Sequence, residues 1–270
     1  HFPRLHPSDF RVRSLDGVAD DWPFTYEDLE PFYDELDIEI GVSGMGGDPA
    51  FPHLKAPPLP PLPIGKMGMR AAEGMNKLGW HWWPAPNSIL SKPYDGRNPC
   101  GLRGTCRNGC VEGAKATFDL IYLPIALKNG LRLISGARVR EVLVNDEGLA
   151  TGAVYVDRNG RERRQLARTV MVCCNGVGTP RLLLNSKSAR FPDDLANSCG
   201  LVGFNLMLHP YSTVIGHFDE PLDSWIGPAG QPIQSMQFYE TDESRGFVRG
   251  APGVGLCQHH GQRLACVDAA

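Results

Sequence analysis

The sequence lacks long hydrophobic runs and dense patches of one charge. No stretch of eighteen apolar residues occurs, so no segment is predicted to cross a membrane as a helix. The formal net charge is -3 and lysine and arginine are nowhere concentrated, so nucleic-acid binding is not expected. Eight cysteines in 270 residues are too dilute for a small disulfide-bonded domain. The composition that remains, 42% hydrophobic and 21% charged, is that of an ordinary globular protein.

The first third of the chain predicts two helices separated by an extended connector. The first helix begins after Thr25, which can cap it together with Asp28, and ends at Gly41. The connector "FPHLKAPPLPPLP" carries six prolines, so it is neither a helix nor a central strand. The segment "GKMGMRAAEGMNKLG" predicts the second helix. The apolar face of the second helix is predicted to contain Met67, Ala71, Met75 and Leu78.

The middle of the chain predicts strands followed by a helix. A helix with a kink at Pro124 precedes two strands, a hairpin turn at Asn159-Gly160 and a third strand. Residues 169–174 predict a fully buried strand with Cys173 and Cys174 in the core. Thr179 and Pro180 are expected to cap and begin the next helix. Such a strand–glycine–helix junction can meet a phosphate or ribose, although many α/β domains have one and bind nothing there.

A cysteine loop occupies residues 98–115, "NPCGLRGTCRNGCVEGAK". Cys100, Cys106 and Cys110 lie within it, separated mainly by glycines and polar residues. Three explanations stay open: ligands of a metal or cluster, a disulfide with one spare thiol, or small residues in a tight turn. A zinc site is disfavoured, because the spacing is uncommon for zinc and no histidine follows closely. After residue 200, "YSTVIGHF" and "QSMQFYE" predict strands of an antiparallel domain.

Four stretches, in the same order, resemble the glucose–methanol–choline (GMC) family of FAD-dependent oxidoreductases. They are "DDWPFTYEDLEPFYDELDIEIGVSG", "GARVREVLV", "VMVCCNGVGTPRLLLNS" and "GLVGFNLMLHP". The departures are Asn175-Gly176 where Gly-Ala is usual, Lys187 after Ser186, and Leu208 before His209. These departures resemble the membrane-associated sugar and alcohol dehydrogenase branch.

The resemblance implies a mixed α/β fold with part of a three-layer FAD/NAD(P)-binding domain and the start of an antiparallel substrate domain. Residues 1–130 would form a helical and extended region with the cysteine loop, 131–199 the returning part of the FAD domain, and 200–270 the start of the substrate domain. The residues expected to contact FAD are Val139, Asn175, Gly176, Thr179, Asn205 and His209. Cys100, Cys106 and Cys110 resemble the loop that holds a [3Fe–4S] cluster in some relatives, whereas other branches have a similar loop without one.

Two family elements are missing from the sequence, the G-x-G-x-x-G motif and the C-terminal catalytic histidine. The chain is therefore expected to be an internal segment or a truncated product, inactive alone, and no catalytic residue is assigned. The resemblance implies oxidation of a CH–OH group of an alcohol or sugar, with hydride transfer to flavin. The resemblance does not specify whether the electron acceptor is oxygen, a quinone or a cytochrome. It also does not specify whether the enzyme is cytoplasmic or periplasmic, or whether a partner subunit associates it with a membrane. The competing hypothesis is a non-enzymatic, cysteine-rich binding or scaffold segment.

Overall fold

A computed structural model of the chain describes residues 2–208, 213–228, 232–246, 256–258 and 264–268. The chain forms two compact units. The first unit combines residues 1–126 with residues 211–270, and the second unit is the continuous stretch 127–210. The helices are Val12–Asp16 (α1), Tyr26–Ile40 (α2), Gly65–Leu78 (α3), Phe118–Lys128 (α4) and Asn175–Asn185 (α5), with 3-10 turns at Pro7–Phe10 and Glu243–Arg245. The strands are Trp83–Pro84 (β1), Arg138–Val144 (β2), Ala150–Val156 (β3), Glu162–Leu166 (β4), Thr213–His217 (β5), Ile233–Gln234 (β6), Leu256–Gln258 (β7) and Leu264–Asp268 (β8).

Helix α2 begins and ends where the sequence predicts. The backbone N–H of Thr25 donates to Oδ2 of Asp28 at 2.8 Å, which is the reciprocal half of a capping box. Gly41 ends the helix with φ of 74°, a left-handed conformation that a residue without Cβ adopts without strain. Asp37, on the buried side of the helix, accepts a hydrogen bond from the buried guanidinium of Arg4 at 2.6 Å. Local sequence signals therefore fix the ends of α2.

The first unit contains three apolar clusters. Met67 and Met75 of α3 pack with Ala72 and Ile233 in one of them, as the predicted apolar face requires. The prediction for Leu78 is wrong, since its side chain is 64% exposed. Leu78 is the last residue of α3, immediately before the left-handed Gly79 that ends the helix. The other two clusters are Phe10, Tyr26, Phe51 and Leu54, and Leu59, Leu62, Ile89, Leu90 and Ala114.

The strands of the first unit form two antiparallel sheets. One has the order β5-β8-β7, which confirms a strand in "YSTVIGHF", and the other pairs β1 with β6. The strand predicted in "QSMQFYE" is wrong beyond its first residue. The chain turns there, with the N–H of Tyr239 donating to the carbonyl of Met236 at 3.2 Å, and a turn leaves no extended backbone to pair.

The beginning of the chain is held to residues 239–241 of the same unit. The hydroxyl of Tyr239 donates to the carboxylate of Asp9 at 2.8 Å, and the hydroxyl of Thr241 donates to Asp16 at 2.6 Å. Nδ1 of His6 lies 3.0 Å from Oε1 of Glu240. The first unit is therefore closed by side-chain contacts between residues far apart in sequence.

The second unit contains the antiparallel sheet β2-β3-β4 and helix α5, which packs beside β2. The turn predicted at Asn159-Gly160 is confirmed. Asp157 stabilises it, because its Oδ1 accepts the backbone N–H groups of Asn159 at 2.9 Å and Arg161 at 3.0 Å. The chain is thus a mixed α/β protein with antiparallel sheets, as the sequence predicts.

The strand predicted at residues 169–174 is wrong. These residues have no hydrogen-bonded neighbouring strand within the described parts of the chain. Met171 is 84% exposed, and Cys173 and Cys174 are exposed and not in a core. An apolar run indicates a tendency toward a buried strand, but a strand also needs a ladder partner that the run itself does not reveal. Among the described residues, no helix has both the length and the apolarity to cross a bilayer.

Candidate functional site

Helix α5 of the second unit begins at Asn175, five residues earlier than predicted. Pro180 therefore lies inside the helix and not at its first position. Asn175 has φ of 60°, and its side-chain Oδ1 accepts the backbone N–H groups of Val177 at 3.0 Å and Gly178 at 3.1 Å. Asparagine tolerates this left-handed conformation and can bind its own backbone in this way. The asparagine that departs from the usual signature thus organises the start of the helix.

An open groove of about 640 Å³ lies beside the first turns of α5. It brings together Gly176 and Asn205, two of the residues expected to contact FAD. A Cβ added at Gly176 would meet nothing closer than Cδ1 of Leu206 at 3.6 Å, so the groove reaches the backbone itself. Asn205 also has a left-handed φ, 57°. The remaining residues that line the groove are Val177, Pro180, Arg181, Leu184, Asn185, Gly203, Phe204, Leu206 and Met207.

Arg181 is a groove residue that the sequence reasoning missed. Among the described residues that line the groove, it is the only one with an ionisable side chain. A positive charge next to a helix start favours an anionic ligand. In the sequence, Arg181 directly follows Pro180 of the signature. A correct prediction of the helix start would have identified this arginine as a candidate.

Among the other predicted FAD residues that the structure describes, Asn175, Thr179 and Val139 do not line the groove. The hydroxyl of Thr179 accepts the backbone N–H of Cys174 at 3.2 Å, so it closes the turn before the helix. Val139 lies on strand β2 and is 46% exposed. His209 lies outside the described residues.

The buried Ser186 connects the helix of the groove to strand β2. Its hydroxyl donates to the carbonyl of Leu182 at 2.7 Å and accepts the backbone N–H of Val142 at 2.9 Å. Both contacts are shielded from water, because Ser186 is only 1% exposed. The position of α5 relative to the strand that carries Val139 is thereby fixed.

The cysteine loop belongs to the first unit, and both of its ends are held by Leu90. The N–H of Cys100 donates to the carbonyl of Leu90 at 2.8 Å, and the N–H of Leu90 donates to the carbonyl of Ala114 at 3.0 Å. The three cysteines of the loop are half-buried and pack against one apolar cluster, which contains Leu90 and Ala114. The fold therefore brings Cys100, Cys106 and Cys110 to one place.

The environment of Cys100 combines two opposing influences on its thiol. Burial raises the pKa of Cys100, and the nearby Cys106 and Cys110 raise it further, whereas a hydrogen bond from the backbone N–H of Leu102 lowers it. Leu102 has φ of 54°, a left-handed conformation that is unusual for leucine. Burial is the largest of these influences, so the pKa of Cys100 is raised overall and the neutral thiol is favoured over the thiolate, which is the form that binds metals.

The six cysteines whose side chains are described are free, so no disulfide forms among them. No group of three or more His, Cys, Asp or Glu side chains within the described residues is arranged to hold a metal ion. The cysteines converge on one cluster, but their sulfur atoms are not in position as a ligand set.

The chain is similar to known proteins over most of its length. A family profile described as GMC oxidoreductase matches residues 64–211. The chain is 40% identical to 2-methyl-1,2-propanediol dehydrogenase of Mycolicibacterium austroafricanum, over 93% of this chain and 46% of that protein. It is 32% identical to the fructose dehydrogenase large subunit of Gluconobacter japonicus, over 90% of this chain and 44% of that protein.

A third relative is the gluconate 2-dehydrogenase flavoprotein of Pantoea cypripedii, which is 28% identical over 93% of this chain and 45% of that protein. The chain thus spans about half the length of the curated relatives that it matches. The profile match covers more than half of the chain and includes helix α5, its groove and the cysteine loop. The chain belongs to the GMC oxidoreductase family.

Proposed function

We propose that the enzyme containing this chain is an FAD-dependent oxidoreductase that oxidises the CH–OH group of an alcohol or a sugar. The observation that carries the proposal is the groove at the start of α5, where Gly176, Arg181 and Asn205 meet. Family membership supports FAD as the ligand of this groove, and the activities for which the relatives are named support alcohols and sugars as substrates.

The residues of the groove fit a dinucleotide. Gly176 has no Cβ, so a ligand in the groove can approach its backbone. The space that a Cβ would occupy there is not filled by any other part of the described chain. Arg181 supplies a positive charge suited to a pyrophosphate. Asn205 offers amide donor and acceptor groups, and Asn175 and Thr179 hold the turn in shape. Val139 and His209 are further proposed contacts to FAD.

FAD, when bound, accepts the hydride from the CH–OH carbon. The part of this chain is to bind and orient the cofactor. No residue of the chain is proposed as the base that removes the hydroxyl proton.

For electron transfer beyond the flavin, we propose a [3Fe–4S] cluster with Cys100, Cys106 and Cys110 as ligands. Their convergence on one apolar cluster supports this proposal. The sulfur atoms would have to turn toward a common centre, because they form no ligand group at present. The proposed final acceptor is a cytochrome or a quinone.

The proposed function is tested by the absorption spectrum of the full-length protein. We expect oxidised-flavin bands that bleach when a substrate is added anaerobically. Substrates to try first are 2-methyl-1,2-propanediol, fructose and gluconate, which the names of the relatives suggest. A protein that binds no flavin after reconstitution, or a flavin that no alcohol or sugar reduces, would contradict the proposal.

A further inference from the structure

Strand β4 lies in a basic stretch of the second unit. Residues 158–168 contain five arginines and a single acid, so the expectation that lysine and arginine are nowhere concentrated is wrong here. The second unit as a whole, residues 127–210, has twelve lysines and arginines against seven acids, a formal net charge of +5. The complete chain has a net charge of -3. Strand β4 is thus a positive element on a protein whose other residues are acidic in sum.

The acids beside these arginines are already neutralised. Glu162 is paired with Arg140 at 3.2 Å, and Asp157 is paired with Arg163 at 3.0 Å. Three further exposed arginines have no acidic partner among the described residues: Arg161, Arg164 and Arg168. Their charge is therefore available to carboxylates of another molecule.

The backbone of β4 has one open edge. It is the outer strand of the sheet β2-β3-β4, and within the described parts of the chain no strand pairs with its other side. The carbonyl of Arg161 and the N–H of Ala167 both bond toward β3, at 2.9 and 3.0 Å. Backbone groups of consecutive residues alternate between the two edges of a strand. The residues whose N–H and C=O groups point to the open edge are therefore Glu162, Arg164 and Leu166.

One of these outward groups is covered by a side chain. Nε2 of Gln165 donates to the carbonyl of Leu166 at 2.9 Å. The donors and acceptors of Glu162 and Arg164 stay open, at the spacing of a strand. Another extended polypeptide matches such a row, whereas a phosphate offers acceptors alone and would leave the carbonyls unsatisfied. The edge therefore favours a protein over a nucleic acid or a lipid surface.

We propose that the open edge of β4 binds an extended acidic segment of a partner protein, which adds a fourth strand to the sheet. Its backbone pairs with Glu162 and Arg164, and its carboxylates lie against the three unpaired arginines. A second copy of the chain is a poor occupant, because β4 against β4 brings the arginines of the two copies together. The interaction goes beyond the proposed function and does not depend on the flavin.

The first experiment uses a peptide of about ten alternating threonine and glutamate residues, since threonine favours strands and glutamate supplies carboxylates. A second peptide has the same sequence but carries N-methyl groups on its central amides, which removes the backbone donors and keeps the charge. With the full-length, flavin-loaded enzyme at low salt, we expect the first peptide to bind about tenfold more tightly than the second. Equal affinities would overturn the added strand.

The second experiment compares two charge reversals in the same enzyme. Lys77 is an exposed lysine of α3 in the first unit, so Lys77→Glu matches the charge change of Arg164→Glu. Arg164→Glu should weaken binding of the first peptide about tenfold at low salt and less at high salt. Lys77→Glu should resemble the wild type. Equal effects of the two variants would show that only net charge matters and would overturn the site.

Hydrogen exchange locates the contact on the protein. We expect the outward N–H groups of Glu162, Arg164 and Leu166 to exchange more slowly when the first peptide is bound. Peptide binding without this protection would place the partner elsewhere and overturn the proposal. Phosphatidylserine vesicles and duplex DNA are tested in parallel. If either binds through Arg164 while the peptide does not, the basic stretch serves a membrane or a nucleic acid and the proposal is wrong.

Discussion

The hydroxyl of Ser186 accepts the backbone N–H of Val142 at 2.9 Å, and this bond joins helix α5 to the edge of strand β2. The N–H of Val142 has no access to water, since Val142 is 5% exposed and Ser186 is 1% exposed. A buried N–H that loses its acceptor costs the full desolvation penalty of the group. The side chain therefore stabilises the second unit and holds the groove in place.

We predict that Ser186→Ala destabilises the protein by about 1–3 kcal/mol, because it leaves the Val142 N–H unsatisfied. FAD affinity should fall as well, since the helix that carries Gly176 loses a tie to the sheet. Chemical denaturation and flavin titration measure the two effects. The control is Ser135→Ala, an exposed serine of the same unit that should change neither. If Ser186→Ala changed neither the stability nor the FAD affinity, the N–H of Val142 would have another hydrogen-bond acceptor.

The space around Gly176 allows a test in which only the cofactor is disturbed. The chain leaves room for a Cβ there, so Gly176→Ala should fold normally and Gly176→Val should lower FAD occupancy severalfold by entering the groove. The ratio of flavin to protein absorbance gives the occupancy. Gly74→Val is the matched control, because Gly74 is a helical glycine of α3 with open space around its Cβ position. Normal flavin content in Gly176→Val would place the cofactor elsewhere.

The charge of Arg181 predicts a salt-dependent contribution to FAD binding. Arg181→Gln should weaken FAD affinity roughly threefold to tenfold at low salt and less at high salt, because this exposed residue interacts with the ligand through screened electrostatics. Arg181→Lys should keep most of the affinity. Fluorescence titration of the apoenzyme with FAD measures the difference, and Arg164→Gln serves as the control for net charge. Identical affinities for Arg181→Gln and wild type would exclude the arginine from the FAD site.

The cluster hypothesis predicts about three irons per flavin in enzyme purified without oxygen. Cys106→Ser should lose the iron and keep the FAD, so that substrate still reduces the flavin while external acceptors are reduced slowly. The control is Cys199→Ser, which changes an exposed thiol of the other unit. Iron-free wild-type enzyme from a host that assembles such clusters, with Cys100 joined to Cys106 or Cys110 on a peptide map, would establish a disulfide instead.

The phenol of Tyr122 provides a test at alkaline pH. Burial and the hydrogen bond that it donates to Glu39 at 2.7 Å raise its pKa to about 12. The unfolded value is about 10, so the stabilising contribution is complete below pH 10 and is lost as the pH rises through about 12. Ultraviolet titration of wild type and Tyr122→Phe should show one late-titrating tyrosine that the variant lacks. A difference spectrum that titrates near pH 10 would contradict this.

The parts of the fold that depend on neighbouring residues were predictable from the sequence. The capping box of Thr25 and Asp28 fixed the start of α2, and Asn159-Gly160 marked the turn between β3 and β4. Each of these signals acts within a few residues, so it can be recognised without knowing the fold.

The parts that depend on distant residues were not predictable in the same way. The apolar run at residues 169–174 indicated a strand, yet no described strand pairs with it. The start of α5 was misplaced because Asn175, and not Thr179, organises the first turn. Gly176 and Asn205 were predicted to contact FAD only through the family resemblance. Arg181 became a candidate for FAD binding only once the structure showed the groove that it lines.

The contacts between residues 6–16 and 239–241 determine the order in which the chain can fold during synthesis. Tyr239 binds Asp9 across 230 positions of sequence, so the first unit cannot close until residues 239–241 have left the ribosome. At roughly 5–20 residues per second, this delay is on the order of 10–50 s. The second unit is continuous from 127 to 210 and is expected to fold first. Residues 6–16 therefore wait with exposed apolar surface, and this interval is when we expect the nascent chain to need chaperones most.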